Sequence, residues 1–327
     1  MNQTVFLTGA TGFIGGHVMS ALLGAGYHVK ALVRPGSDGI KPCGDCEIVT
    51  GDLLRPGDLI ESMRGCRYLV HVAALYTFAP SRRGDVWRTN VTGTAGLLEA
   101  ASLAGVERAV VTSSSATAGP ARGDRLATER DFSEEHDSVS VYHRSKIEQE
   151  RAALKSLLPV TFVLPTTPVG PRDRKPTPTG KMIVDFMRGK MFASLPGGMN
   201  VVAVEDVARA HIEALRRGEI GERYLVGGRN MSLEQIWVAL AAICNRPVPK
   251  HEIPYRLATI LGWGDELRCR VFSDQVPLVP LEGVRMARHN MFVDNAKARN
   301  ELGITPTSVP AALERAVRWF QDNGYAQ

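Results

Sequence analysis

Residues 4–16 read TVFLTGATGFIGG, and this stretch decides the fold class. A β-branched run, Thr4–Thr8, enters a turn with glycines at positions 9, 12 and 15, and a helical pattern continues to Leu23. Glycines at such a turn let backbone N–H groups approach a phosphate at the positive end of the helix. The spacing is G-x-x-G-x-x-G, whereas G-x-G-x-x-G is more common. Because the turn joins the first strand to the first helix, we expect a dinucleotide site there.

Outward from this turn, short β-branched runs alternate with longer helical patterns, which is typical of a parallel sheet wrapped by helices. We therefore predict an α/β fold, a Rossmann-type doubly wound parallel sheet with a smaller C-terminal substrate-binding lobe. The predicted strands are Thr4–Thr8, His28–Val33, Glu47–Val49, Tyr68–Val72, Ala109–Ser113 and Val160–Leu164, and the predicted helices lie near 12–25, 57–64, 85–104 and 141–157.

The texture changes after Pro165, because residues 165–180 contain five prolines and two glycines. Such a stretch interrupts regular structure and favours a binding loop. Beyond it the pattern predicts helices near 181–190, 204–216, 232–244 and 309–321, and a strand at Glu222–Val226. We predict a dinucleotide-binding domain over 1–168, rejoined by 200–228, and a substrate-binding lobe built from 169–199 and 229–327.

Composition narrows the classes of protein that the chain can belong to. The 327 residues are 44% hydrophobic and carry a net charge of +5, with no concentrated run of Lys and Arg. This excludes collagen and disordered chains and argues against a nucleic-acid partner. Five irregularly spaced cysteines argue against a secreted disulfide framework and favour the cytoplasm. We identify no export signal and no uninterrupted apolar run of about 18 residues, so we expect no integral membrane segment.

Arg34 follows the second strand, where an acidic residue would normally bind the adenosine ribose of NAD. A guanidinium there suits a 2′-phosphate, so NADP(H) is favoured and NAD(H) remains possible. The alternative is an exposed surface arginine. Gly51-Asp52-Leu53 follows the third strand, and Asp52 would either hold the adenine amino edge or cap the next helix.

Tyr142 and Lys146 share one face of a predicted helix. An ammonium beside a phenol stabilises the tyrosinate, and the same amine can reach a ribose hydroxyl. Bringing the pKa of a free tyrosine from about 10 to neutrality requires about 4 kcal/mol, which Lys146 and the nicotinamide charge would supply. The alternative is a solvated Tyr–Lys pair.

Thr112-Ser113-Ser114-Ser115-Ala116-Thr117 ends the fifth strand, at the edge where α/β sheets place their ligands. One hydroxyl there would hydrogen-bond a substrate oxygen while Tyr142 moves the proton. Serines at a strand end also form ordinary turns.

The ordered motifs TGATGFIGG, GDL, HVAA, TNVTGT, VVTSSSATAG, YHRSK and PTTPVGP resemble those of the extended short-chain dehydrogenase/reductases, the NAD-dependent epimerase/dehydratase family. Downstream, KPTPTGKMIVDFMRGK, VEDVARAHIEAL and FVDNAKARNELGITP look like the dihydroflavonol-4-reductase-like branch, close to hopanoid-associated sugar epimerases. The resemblance covers nearly the whole chain and is far more specific for fold and cofactor class than for substrate.

The resemblance implies that Tyr142 is the catalytic acid/base, with Lys146 as its partner, and that Ser114 is the catalytic serine, with Ser115 as the alternative. It also implies that Asn90 helps to order the active-site helix, although a helix cap would look the same, and that the segments beginning at His71 and Pro165 line the cofactor. His71 is alternatively a buried strand-end histidine. The cofactor-binding residues we predict are Gly9, Thr11, Gly12, Phe13, Ile14, Gly15, Arg34, Asp52, Leu53, Ala73, Asn90, Tyr142, Lys146, Pro165 and Thr167.

Three weaker signals have ordinary alternatives. Cys43 and Cys46 have zinc-like spacing, but no second pair accompanies them, so we expect no metal site. Arg172, Arg174 and Lys175 would meet an acidic substrate or remain solvated. The aromatic side chains after the fourth strand would line an apolar pocket or pack in the core; they are Tyr76, Phe78 and Trp87.

The leading hypothesis is an NADPH-dependent oxidoreductase that reduces a carbonyl, or oxidises an alcohol, of a small-molecule substrate. The alternative is a sugar or sugar-nucleotide epimerase or dehydratase. Such epimerases usually carry an arginine just before the strand that precedes the x-x-D-V-A helix, and residues 196–202 contain no cation. Arginines of the 172–174 loop would have to replace it. A redox-sensing module without catalysis is disfavoured because Tyr142 and Lys146 are both present.

The family also implies a homodimer through the helices near 85–104 and 141–157.

Overall fold

The computed structural model describes residues 3–36, 44–77, 79–120, 125–133, 140–191, 193–271, 281–286 and 288–326. Its strands are β1 Thr4–Thr8, β2 His28–Val33, β3 Glu47–Thr50, β4 Tyr68–His71, β5 Arg108–Thr112, β6 Val160–Pro165, β7 Thr167–Val169, β8 Ala193–Ser194, β9 Gly198–Ala203, β10 Arg223–Val226, β11 Arg229–Ser232 and β12 His251–Glu252. Its α-helices are α1 Phe13–Gly24, α2 Ile60–Met63, α3 Arg83–Trp87, α4 Gly93–Leu103, α5 Val141–Leu154, α6 Pro178–Met187, α7 Val204–Arg217, α8 Leu233–Cys244, α9 Tyr255–Val271, α10 Leu281–Met286, α11 Ala296–Glu301 and α12 Val309–Asp322.

Seven strands form one parallel sheet in the order β10-β6-β5-β4-β1-β2-β3. Alternate residues along β1 point to opposite faces, as the pleat of a strand requires. Phe6 joins the core beneath α4, whereas Val5 and Leu7 join the core beneath α1 and α7. Burial on both faces explains why these strands are continuous apolar runs. The predicted doubly wound sheet is confirmed.

A second group of elements packs around a three-stranded sheet in the order β11-β9-β7. β9 is parallel to β7 and antiparallel to β11. Helices α6, α8 and α12 enclose a separate apolar core with this sheet, which includes Phe186, Trp237 and Phe320. Between β9 and β11 the chain returns to the main sheet through α7 and β10. The division of the chain into two functional lobes at the boundaries given above stays a prediction.

The observed elements differ from the predicted ones in three places. The helix predicted near 85–104 is divided into α3, a π-helical turn at Arg88–Thr92, and α4. The proline-rich stretch after Pro165 contains β7 and the start of α6, so only Thr166 and residues 170–177 are irregular. The pattern also missed α9, α10 and α11, the short strands β8 and β12, and strand β11, which are too short or too weakly periodic to stand out. No helix in the described ranges is both long and apolar enough to cross a membrane.

Candidate active site

A cavity of about 1650 Å³ lies at the carboxyl ends of the main-sheet strands. The turns that follow β1, β2, β4, β5 and β6 all contribute to its wall. Parallel α/β sheets bind ligands at this edge. Most of the predicted site residues line the cavity, namely Gly9, Thr11, Gly12, Phe13, Ile14, Gly15, Arg34, Ala73, Ser114, Tyr142, Lys146, Pro165 and Thr167.

The glycine turn brings three pieces of backbone into contact. Gly9 has a φ of +79°, and a Cβ there would lie 2.7 Å from the backbone nitrogen of Ala73. A Cβ on Gly15 would lie only 1.9 Å from the carbonyl oxygen of Gly9. Helix α1 therefore starts directly against the turn, with no side-chain cap and no acidic residue in its first turn. An uncapped helix N-terminus facing a cavity favours an anionic group such as a pyrophosphate.

Of the three residues predicted to bind the adenosine part of the cofactor, only one lines the cavity. Arg34 is exposed and lines the cavity. Asp52 does not line it, and its Oδ1 accepts a hydrogen bond from the backbone N–H of Leu54 at 2.9 Å. Leu53 is buried in the core beneath α4. The cavity wall is formed here by Gly51 and Leu54, so Asp52 acts locally on the turn, which is close to the capping role considered above.

Tyr142 lies in the first turn of α5, which Ser140 caps by accepting from the N–H of His143 at 2.9 Å. The Tyr142 ring packs on that of Tyr76, with centroids 4.2 Å apart. Its side chain hydrogen-bonds to that of Ser114, the N-cap of the short 3-10 helix at Ser115–Thr117. Burial raises the pKa of Tyr142 to about 12, and the hydrogen bond with Ser114 opposes that shift. Lys146 is not among the groups that lower the pKa of Tyr142, so the expected acidification of the phenol by Lys146 is not found.

Lys146 is fully buried one turn further along α5, with its Nζ 5.9 Å from the centre of the Tyr142 ring. The Nζ donates to the carbonyl oxygen of Thr112 at 2.9 Å and to Oε1 of Gln149 at 2.7 Å. Burial lowers the pKa of Lys146 to about 7, although the charge of Glu150 opposes the change. An ammonium has three donors, so one N–H remains for the cavity that Lys146 lines.

Asn90 occupies the π-helical turn, is completely buried and does not line the cavity. Its Nδ2 donates to the carbonyl of Leu75 at 3.1 Å and to Oγ of Ser145 at 3.0 Å, and its Oδ1 accepts from the N–H of Leu75 at 2.8 Å. These bonds connect the turn after β4 to α5, so Asn90 holds the helix that carries Tyr142. Asn90 is carried by the π turn, and such turns are frequently found at functional sites.

The weaker candidates lie mostly elsewhere. Arg172 turns toward α1, where its Nη2 is 3.0 Å from Nδ1 of His17 and its Nη1 donates to Ser20 at 3.3 Å. Arg174 and Lys175 are exposed and do not line the cavity. Tyr76 lines it, whereas Trp87 does not and packs under the guanidinium of Arg144. Cys43 and Phe78 lie outside the described residues.

The sequence motifs do not indicate the apolar part of the cavity wall. Apolar side chains from several separate segments meet there: Met182, Met191, Leu195, Met199, Leu233, Trp237 and Met291. Arg285 and His289 line the same cavity. Met291 reaches it because its N–H bonds the carbonyl of Gly198 at 2.9 Å, across more than ninety positions of sequence. No local pattern marks such a contact, because it depends on how the lobe folds.

The profile of the NAD dependent epimerase/dehydratase family matches residues 5–227. The "Putative dihydroflavonol 4-reductase" of Synechocystis sp. is 39% identical to this chain, covering 100% of it and 97% of that protein. The "Sterol demethylase protein B" of Methylococcus capsulatus is 34% identical, covering 98% and 99%. The crystal structure of gox2253 superposes with a TM-score of 0.88 at 36% identity, covering 100% of both chains.

The chain therefore belongs to the NAD dependent epimerase/dehydratase family, within the extended short-chain dehydrogenase/reductases. It is an NAD(P)-dependent enzyme of that family, whose members act on small molecules. The predicted family and enzyme class are confirmed, and the choice among reductase, dehydrogenase and epimerase is a separate question.

Proposed function

We propose that the protein is an NADPH-dependent oxidoreductase that reduces the carbonyl of a largely apolar substrate, or oxidises the corresponding alcohol. The observation that carries this proposal is the position of Tyr142. It lines a cavity whose wall also contains the start of the uncapped helix α1 and a group of methionines, leucines and Trp237. These apolar side chains favour a substrate with a large apolar part, because burying the hydroxyl groups of a sugar against them would cost free energy.

The residues present fit a dinucleotide. The turn at Gly9 and Gly15 admits a pyrophosphate close to the backbone, and Lys146 keeps one N–H for a ribose hydroxyl. Arg34 supports NADPH over NADH, because it lines the cavity and makes no hydrogen bond or ion pair with any other residue in the described ranges. A free guanidinium can pair with a 2′-phosphate in bidentate geometry.

The side chains around Tyr142 suit the reductive direction. NADPH, when bound, supplies the hydride that the carbonyl carbon accepts. Tyr142 Oη then donates its proton to the carbonyl oxygen, and Ser114 hydrogen-bonds the same oxygen as negative charge develops on it. The raised pKa of Tyr142 keeps the phenol protonated at neutral pH, which is the form that donates. Lys146, whose Nζ lies 5.9 Å from the centre of the Tyr142 ring, would hold the ribose beside the phenol with its third N–H.

The epimerase alternative requires a cation to hold a substrate diphosphate. Arg172 is directed toward α1 and residues 196–202 contain no cation, so neither predicted source supplies one. Other basic side chains line the cavity, and an epimerase would have to use one of them: Arg82, Arg125, Arg130, Arg285 and His289. A panel of apolar ketones with NADPH and a panel of UDP-sugars separate the two activities. Net loss of NADPH absorbance supports the reductase, and cofactor-neutral conversion of a UDP-sugar would replace it with the epimerase.

Tyr142→Phe tests the catalytic assignment. Removing the hydroxyl should lower turnover by about 10²–10⁴-fold, the usual contribution of a positioned acid/base, while the NADPH dissociation constant stays within a few-fold. Tyr68→Phe is the control, because Tyr68 lies on β4 and does not line the cavity. Undiminished turnover in Tyr142→Phe would exclude Tyr142 as the proton donor.

A further inference from the structure

A continuous chain of buried hydrogen bonds connects the loop after β4 to Lys146. The Ala73 N–H donates to Oγ1 of Thr8 at 3.2 Å, and Oγ1 of Thr8 lies 2.7 Å from Nδ1 of His71. Nε2 of His71 lies 2.8 Å from Oγ1 of Thr94. The same oxygen accepts a hydrogen bond from Nε2 of Gln149 at 2.9 Å. Gln149 in turn accepts from Lys146. The four side chains from Thr8 to Gln149 are all completely buried.

One backbone carbonyl determines which group donates and which accepts in each hydrogen bond of this network. Oγ1 of Thr94 lies 2.7 Å from the carbonyl oxygen of Asn90, which can only accept, so the single hydroxyl hydrogen of Thr94 is committed there. His71 and Gln149 must therefore both donate to Thr94. Burial lowers the pKa of His71 to about 3, so the ring is neutral, carries its hydrogen on Nε2 and accepts from Thr8 at Nδ1.

The same commitment decides how the Gln149 amide is oriented. Because its NH₂ group must face Thr94, its carbonyl oxygen must face Lys146. An amide turned the other way would place N–H against the ammonium and leave two buried donors unpaired, which is costly.

We propose that Thr94 is a positioning residue for Lys146: its hydroxyl locks the Gln149 amide so that a fixed acceptor holds the lysine amine with one N–H aimed at the cofactor cavity. This inference rests on the proposed function, since it assigns Lys146 to the ribose and to Tyr142. His71 supports the lock from the other side, and through Thr8 and Ala73 it ties the lock to the cavity wall.

Few titratable groups surround the amine. Tyr142 and Glu150 face it from α5, and His71 approaches from the end of β4. β5 contributes only the carbonyl of Thr112. The described residues of α4 and the π turn that take part in the network, Thr94 and Asn90, are uncharged. A shift in the titration of Lys146 after a change at Thr94 would therefore report on the amide between them.

Thr94→Val removes the hydroxyl at nearly constant volume, and Thr94→Ser retains it. The readout is the number of protons taken up when NADPH binds, obtained by calorimetry in buffers of different ionisation enthalpy from pH 5.5 to 9. Proton uptake should peak between the pKa values of Lys146 in the free and the bound protein. We expect Thr94→Val to move the peak down by about 0.5–1 pH unit, because the ammonium loses a fixed acceptor, and Thr94→Ser to leave it in place.

Gln149→Met removes the acceptor itself and should shift the peak in the same direction. The double variant Thr94→Val/Gln149→Met should shift it no further than Gln149→Met alone, since Thr94 acts only through the amide. Repeating the titrations with NADH removes any contribution from the 2′-phosphate. If Thr94→Val does not fold, Thr94→Ala, which also lacks the hydroxyl, takes its place beside Thr94→Ser in the same titrations.

The results separate the role of Thr94 from the proposed function of the protein. Binding of NADPH with an unmoved peak in Thr94→Val, or strictly additive shifts in the double variant, would overturn the role of Thr94 while leaving the proposed function intact. Absence of dinucleotide binding to the wild-type protein would overturn both.

Discussion

Tyr142 and Lys146 show how surroundings change the chemistry of a side chain. The two groups have nearly equal pKa values of about 10 in water. In the protein, burial raises the pKa of Tyr142 to about 12 and lowers that of Lys146 to about 7, because a desolvated site disfavours charge on either group. The spacing Tyr-x-x-x-Lys predicts that the groups meet, but the direction of these shifts depends on the depth of burial, which the motif does not contain.

Arg34 is the residue on which the choice of cofactor depends. Arg34→Ala should weaken NADPH by about 1–3 kcal/mol, roughly 5- to 150-fold, because a charge-assisted contact to the 2′-phosphate is lost. NADH lacks that phosphate, so its affinity should change little. Fluorescence titrations with both cofactors measure the difference, and Arg34→Lys shows how much of it depends on charge alone. Equal weakening of NADPH and NADH would mean that Arg34 does not contact the phosphate.

At the scale of elements, the turn between β1 and α1 is the tightest junction in the site. Gly15→Ala would place a methyl group 1.9 Å from the carbonyl of Gly9, so the turn must move. We expect the variant to lose most of its dinucleotide affinity and to melt at a lower temperature. Gly16→Ala is the matched control, since its Cβ would lie 3.5 Å from the carbonyl of Ala10, an ordinary contact. Similar affinity in the two variants would contradict the close-packed turn.

The interruption of the helix at 83–103 by the π turn also depends on distant residues. Its apolar periodicity predicts one helix, but Asn90 needs to reach both Leu75 and Ser145, and a π turn allows this. Thr89, Asn90, Val91 and Thr92 are weak helix formers, but low helix propensity does not by itself indicate a π turn. Its geometry follows from partners on two other segments, so the sequence pattern had no means of indicating it.

At the scale of the whole molecule, a buried neutral histidine should make stability depend on pH. His211 is completely buried between Thr112 and the carbonyl of Val207, and burial lowers its pKa to about 4. The unfolded chain binds a proton at this residue below about pH 6.5, whereas the folded chain does so only near pH 4. The free energy of unfolding should therefore fall as pH drops through this window, by up to about 1.4 kcal/mol per pH unit for this histidine.

Urea unfolding at pH 8, 6 and 5 measures this dependence. His211→Gln should reduce the slope, although the buried His71 still contributes to it, and His28→Gln, at an exposed position, is the control for the substitution. The same slope in all three proteins would mean that His211 is not the group responsible.

The predicted homodimer and cytoplasmic location stay predictions. Leu103 at the end of α4 and Leu154 at the end of α5 are both more than half exposed, on the helices that the family resemblance implicates in the dimer.

The sequence by itself determined the strands of the sheet, and it predicted the glycine turn as a nucleotide site and Tyr142 with Lys146 as a pair, because each depends on neighbours within a few residues: strand periodicity, glycine spacing, and one turn of helix. Ser114 meets Tyr142 only through the fold. The tertiary structure decided everything that depends on distant residues meeting. In the folded protein Arg172 contacts α1, and Asp52 and Leu53 do not line the cavity. The apolar side chains of the cavity wall come from segments as far apart as Met182 and Met291. It also aligned Thr8, His71, Thr94 and Gln149 behind Lys146. The physical reason is that burial and hydrogen-bond partnership are properties of three-dimensional packing, whereas local sequence records only the conformations that a segment prefers.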